Sequence, residues 1–146
     1  MKQRLRRIVT TGVLAVFMLF TLVLPAFAGT AYSNYSYFTD GGYGYRNQAS
    51  VMTDTWGAIA LTYIGSYPEV TRPAGWYGAL ARLYNDSGVL VAQRGYVYSG
   101  SACVGMKIPT YNYTVHDSYR SYGVSKSWNG SSYVGHATWT SPYQTY

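Results

Sequence analysis

Clusters of Gly, Asn, Asp, Ser or Pro interrupt residues 29–146 roughly every 8–12 positions, and Tyr, Trp, Val and Thr dominate the stretches between them. That spacing leaves room for strands of ordinary length and for little else. β-Branched and aromatic side chains suit a pleated, half-buried surface. No stretch combines a 3.6-residue period with helix-capping residues. The most helix-like segment, residues 57–65, alternates Ile59, Leu61 and Tyr63 with Ala58, Ala60 and Thr62, a period of two that marks a strand. The expected fold is all-β, an antiparallel β-sandwich of about seven to nine strands built from hairpins, after an N-terminal signal helix.

Three hairpins are legible. In the first, Asn85-Asp86-Ser87-Gly88 separates two apolar runs, residues 79–84 and 89–92. Asn and Asp bond back to nearby backbone, and Gly88 can take positive φ. In the second, Asn129-Gly130 joins residues 122–128 to 131–140, and Asn-Gly is the preferred pair for a type I′ turn. In the third, Asp40-Gly41-Gly42 joins residues 32–39 to 43–54. Residues 65–75 hold Pro68 and Pro73 and read as a loop, since proline cannot donate to a ladder.

Residues 1–28 read as a secretory signal peptide. Lys2, Arg4, Arg6 and Arg7 precede an apolar run, and Ala26-Phe27-Ala28 forms an A-x-A cleavage site. The run is about 17 residues, at the short limit for a spanning helix, so no stable transmembrane anchor is expected. Cleavage leaves 118 of 146 residues, read as a single β-sandwich domain over 29–146. Four of the eleven basic residues and none of the five acidic ones leave with the signal, so the remaining net charge is seven less five, or +2. A nucleic-acid partner is therefore not expected, because it calls for a concentrated basic patch. One cysteine cannot pair within the chain, which excludes a disulfide scaffold; Cys103 is expected to be a buried thiol, the alternative being a bond between chains.

The core material is unusual. After the signal stand four Leu, three Ile and nine Val, against eighteen Tyr, four Trp and one Phe. Aromatic rings must therefore enter the core, and each buried phenol needs a partner, because stranding it costs about 1–3 kcal/mol. Four tyrosine pairs, Tyr35/Tyr37, Tyr43/Tyr45, Tyr96/Tyr98 and Tyr111/Tyr113, are spaced i, i+2. On a strand each pair shares a face. These eight residues are the candidate binding residues. Ring faces stack on sugars and amphipathic surfaces, and a tyrosine ordered on binding loses little entropy. The same pairs also stabilise sheets without binding anything.

No catalytic set stands out. There is no G-x-S-x-G. His116 and Asp117 are adjacent and would point to opposite faces of a strand, and both His116 and His136 read as ordinary surface or rim residues. Asp40 and Asp86 lie in expected turns, and no spacing pairs the acids for glycosidase chemistry. Neither the histidines nor Cys103 has zinc-site spacing, so no metal and no cofactor are expected.

The pentapeptide Ala31-Tyr32-Ser33-Asn34-Tyr35 resembles a segment of the lactococcin-type β-sandwich bacteriocins, small exported proteins of Gram-positive bacteria that act at the envelope of competing cells. Ser36-Tyr37-Phe38-Thr39 stands where that family has a His-rich stretch, and the resemblance carries over no site residues. The stretch from Ala81 to Val91 is similar to a hairpin of small exported bacterial proteins without an assigned activity. Together these readings lead to an exported, bacterial, non-catalytic module whose Tyr-rich face contacts envelope polysaccharide or another cell-surface partner. The alternatives are a bacteriocin-like antagonistic toxin and a small hydrolase in which His116 or His136 meets an acid and a serine.

Overall fold

Residues 28–146 are described by a computed structural model; the expected signal peptide lies, but for Ala28, outside them. Eleven strands follow one another: β1 (Gly29–Tyr32), β2 (Ser36–Asp40), β3 (Tyr43–Asp54), β4 (Gly57–Ser66), β5 (Tyr77–Asn85), β6 (Leu90–Tyr98), β7 (Gly105–Pro109), β8 (Ser118–Ser121), β9 (Val124–Trp128), β10 (Tyr133–Ala137) and β11 (Gln144–Thr145). They form two antiparallel sheets. The first runs β1-β3-β4-β7 with β2 also on β3, and the second runs β10-β9-β5-β8-β11 with β6 also on β5. Several strands are pieces of one run. β1 and β2 lie along the same side of β3. β8 and β9 lie along β5 in one unbroken register, from Asn85 opposite Tyr119 to Tyr77 opposite Ser127. β10 and β11 continue along β9 and β8. Three such mergers reduce eleven strands to eight tracks, four in each sheet. This is the expected sandwich.

The break between β1 and β2 is a β-bulge. Tyr32 stands opposite Ser50 and Ser36 opposite Asn47, so four steps on the edge match three on β3. Ser33 closes the gap. Its N–H donates to the Ala49 carbonyl at 2.8 Å, its Oγ accepts from the Ala49 N–H at 3.0 Å, and its carbonyl accepts from Gln48 Nε2 at 2.8 Å. The inserted residue reverses the alternation. Ala31 and Phe38, one odd and one even, therefore both pack inward, while Tyr32, Tyr35 and Tyr37 stay exposed.

The interior holds two apolar clusters, and each needs tyrosine to fill it. Tyr45, Ile64, Tyr77, Ala79 and Ile108 make one; Val51, Ala58, Ala60, Leu83 and Tyr119 make the other. All three interior phenols find acceptors: Tyr45 donates to the Trp128 carbonyl at 2.7 Å, Tyr77 to Val104 at 3.1 Å and Tyr119 to Val115 at 2.5 Å. A polar seam ties the sheets together. Thr62 Oγ1 on β4 donates to the Leu80 carbonyl on β5 at 3.1 Å, and Asn47 Nδ2 on β3 donates to Ser125 Oγ on β9 at 2.8 Å. Gly123 makes room for the first of these, since a Cβ there would lie 1.9 Å from Thr62 Oγ1.

Burial is the main reason that Tyr45 and Tyr119 are pushed up to about 12, and it raises Tyr77 as well. An unfolded chain releases these protons near 10, roughly the free phenol value. Between the two values the unfolded state binds fewer protons, so stability is complete below pH 10 and falls as pH rises toward 12. In an alkaline titration, the strand signal in far-UV circular dichroism should collapse together with a late fraction of tyrosinate absorbance. Ionisation of all eighteen tyrosines in the ordinary phenol range with the fold intact would contradict this packing.

The turns bear out two hairpins closely and revise the third. Asn85 closes its loop by accepting the Val89 N–H on Oδ1 at 2.8 Å, with Gly88 at φ +77°. Gly41 and Gly42, both at positive φ, make the β2–β3 turn. Asn129-Gly130 does not form a type I′ turn, which would need Asn129 at positive φ; among the described residues only glycines take it. The loop instead spans residues 129–132, and Asn129 Oδ1 accepts the N–H groups of Ser131 and Ser132 at 2.9 and 2.8 Å. Among the described residues no helix is long and apolar enough to cross a membrane.

Candidate functional site

Three arrangements on this frame carry side chains capable of chemistry or recognition. The first lies between the sheets. Asp40, at the end of β2, accepts from Ser127 Oγ on β9 and from His136 Nε2 on β10, the latter at 2.8 Å. Phe38 stacks on the His136 ring with centroids 3.7 Å apart. His136 is thus part of an inter-sheet clasp rather than a rim residue. Asp40, expected as a turn former, is its centre. The order of contacts matters chemically. A serine nucleophile needs the imidazole between itself and the acid, and here the carboxylate stands between serine and imidazole. The other histidine, His116, is exposed and stacks on Tyr146 at 4.5 Å.

The second arrangement is the outer face of the first sheet. Tyr35, Tyr63 and Tyr67 surround the Arg46 guanidinium at 4.8, 6.0 and 5.7 Å, and Tyr37 packs against Tyr35 and Tyr67. Arg46 also pairs with Glu69 at 2.7 Å. Burial alone would lower the Arg46 pKa, but the phenols of Tyr63, Tyr35 and Tyr37 outweigh it and raise the pKa, so the charge is secure. The expected Tyr35/Tyr37 pair does face outward. Its neighbours are occupied by the chain's own cation, whose charge is already answered.

The third arrangement is the outer face of the second sheet. One row across it reads Tyr98, Gly78, Lys126, Gly135 on β6, β5, β9 and β10. The Tyr98 ring lies over Gly78, where a Cβ would come within 2.7 Å of it, and nothing covers Gly135. Rings line this glycine floor. Tyr96 and Tyr98 stack at 6.4 Å, Tyr98 meets Tyr133 at 4.8 Å, and Tyr133 meets Trp128 at 5.1 Å. Tyr133 is held by its hydroxyl, which donates to the Gly75 carbonyl at 2.5 Å. Lys126 Nζ sits 4.2 Å from the Tyr96 ring centroid. Tyr96, Tyr98 and Tyr133 are each more than a third exposed.

The remaining expected pairs behave differently. Tyr43/Tyr45 shares a face of β3, but it is the inward face. Tyr45 is 1% exposed and lies in the core, out of reach of any ligand. Tyr43 is half-buried against Trp76 at 5.0 Å, with the Arg72 guanidinium 4.6 Å from its ring. Tyr111/Tyr113 is not on a strand. Tyr111 is exposed, whereas Tyr113 bridges Ala58 and packs on the second core cluster beside Tyr119 at 5.8 Å. Cys103 is a free, half-buried thiol against the first cluster, its backbone paired with Arg72. Sequence reasoning missed Trp128, Tyr133 and Lys126. The hairpin around Asn129 was the available signal, because it sets Trp128 opposite Tyr133. Compared with protein-family models, curated proteins and solved structures, the chain matches none.

Proposed function

We propose that this chain is an exported, non-catalytic binding module whose second-sheet face contacts polysaccharide of a cell envelope. The observation that carries this reading is the row of rings from Tyr96 through Tyr98 and Tyr133 to Trp128, with the Tyr98 ring lying over Gly78 and open space above Gly135. Aromatic rings supply apolar faces for the C–H surface of a sugar, and their hydroxyl edges can bond its hydroxyls. Neighbouring rings fix each other's orientation, so little side-chain freedom remains to be lost on binding. The signal-like residues 1–28 support export, and the central position of Asp40 in its cluster speaks for a structural rather than a nucleophilic Ser127.

The test is retention on glycan arrays and cell-wall preparations. Tyr98→Ala and Trp128→Ala should each weaken binding by about tenfold or more, the loss typical of a central aromatic anchor. Tyr35→Ala and Tyr37→Ala should leave it within about twofold. The reading fails if no glycan or wall preparation retains the protein, or if the Tyr35 and Tyr37 variants lose as much as the Tyr98 and Trp128 variants.

A further inference from the structure

Resting on that reading, we infer that the polysaccharide is acidic, and that a pocket around Arg120 at the far end of the same face takes one of its acid groups. The charge distribution points there first. The strands of the second sheet contain no Asp or Glu, and Arg82, Arg120 and Lys126 stand on its outer face, whereas Arg94 lies opposite the core residue Ala81. Among the described residues Arg46–Glu69 is an ion pair and Asp40–His136 a carboxylate–imidazole contact, neither of them on this outer face. Surface charge for solubility alone normally mixes both signs, whereas this face carries one.

Nor are its cations neutralised in other ways. Arg82 donates from Nε to the neutral Gln93 side chain at 3.0 Å. Lys126 and Arg120 lie against the rings of Tyr96 and Tyr143, at 4.2 and 5.2 Å. A ring contact engages the cation without satisfying its N–H groups, which remain free for oxygen acceptors. Asp86, in the turn after β5, accepts from Ser87 Oγ at 3.1 Å.

The pocket supplies the shape. It holds about 230 Å³ and is lined by Tyr84, Gly88, Arg120, Tyr122 and Thr140. That is smaller than a drug-sized cavity, which starts at about 300 Å³, and suits one ring or its acid substituent rather than an oligosaccharide. Two phenols form walls, and the Arg120 fork can donate two parallel hydrogen bonds to a carboxylate. The row containing Gly78 and the position of Tyr84 are six residues apart on β5, or about 20 Å at strand rise. A ligand that uses both the ring platform and the pocket must therefore be a chain of several units.

The experiment measures affinity of the purified protein for polygalacturonate and alginate, for their carboxyl-reduced counterparts, and for phosphatidylglycerol vesicles and single-stranded DNA. Acidic polymers should bind at least about tenfold tighter than their reduced forms, with the difference shrinking as salt screens it. Arg120→Gln should remove most of that preference by weakening the acidic polymers far more than the reduced ones, and Arg120→Lys, which keeps charge but not the fork, should retain part of it. Tyr98→Ala should weaken both polymer forms alike. Thermal midpoints close to that of the parent protein establish that the Arg120 variants are folded. Equal affinity for acidic and reduced polymers, still sensitive to Tyr98→Ala, overturns this inference and leaves the glycan reading standing. Vesicles or DNA bound as tightly as polygalacturonate overturn it in favour of charge alone. Failure of every polymer overturns both.

Discussion

Tyr45→Ala is expected to destabilise the protein by about 3–5 kcal/mol, a large share of what holds a domain of this size together. The ring is 1% exposed, meets Tyr77 edge to face at 6.1 Å and stacks beside Phe38 at 5.9 Å. Its removal leaves a cavity between two sheets that cannot close without moving strands. Its hydroxyl crosses from β3 to the Trp128 carbonyl on β9, so Tyr45→Phe should cost about 1 kcal/mol by losing that bond alone. Urea unfolding of the two variants separates these contributions. A midpoint for Tyr45→Ala close to that of the parent protein would show that the ring is not a core element. The same result governs how binding data are read: lost binding in Tyr45→Ala reports unfolding, although Tyr45 has the same i, i+2 spacing as the outward pairs.

Asp40→Ala should be nearly as damaging, at about 2–4 kcal/mol. The carboxylate serves donors on two different strands of the opposite sheet, Ser127 and His136, and Ser127 is fully buried. Without the acceptor, the Ser127 hydroxyl is left inside with its bond unmade, and the His136 ring keeps only its stacking on Phe38. Asp40→Asn preserves shape and one acceptor oxygen, and should cost roughly half as much, because a serine hydroxyl can accept where it previously donated. A double-mutant cycle of Asp40→Ala with His136→Ala should give a coupling of about 1–3 kcal/mol. A coupling below about 0.5 kcal/mol would mark the pair as an ordinary exposed one. Because β9 and β10 also carry Trp128 and Tyr133, loosening this clasp should weaken ligand binding in proportion to the stability lost.

The strand pattern was legible because it is local. Alternation in residues 57–65 and the Asn85 and Gly41-Gly42 turns each follow from a few neighbouring residues. The bulge at Ser33 was not, since an inserted residue shows itself only against the partner strand. Nor was the Asn129 loop, where a side chain capping two N–H groups replaced the backbone turn that the dipeptide favours. Period two tells which residues share a face and is silent on which face is buried. Tyr96/Tyr98 and Tyr43/Tyr45 therefore look alike in the chain and end on opposite sides of their sheets.

What the amino-acid order determined by itself was a sheet protein with too few aliphatic residues to fill its interior, obliged to spend tyrosines there and left with more to display. Only the tertiary structure decided which rings were spent. It buried Tyr45, Tyr77 and Tyr119, gathered Tyr96, Tyr98, Tyr133 and Trp128 into one row, set Asp40 between Ser127 and His136, and gave Arg120 a pocket. The reason is that facing, register and charge neighbourhood are properties of strand pairs distant in the chain, and pairing energies add up only when both strands are in place.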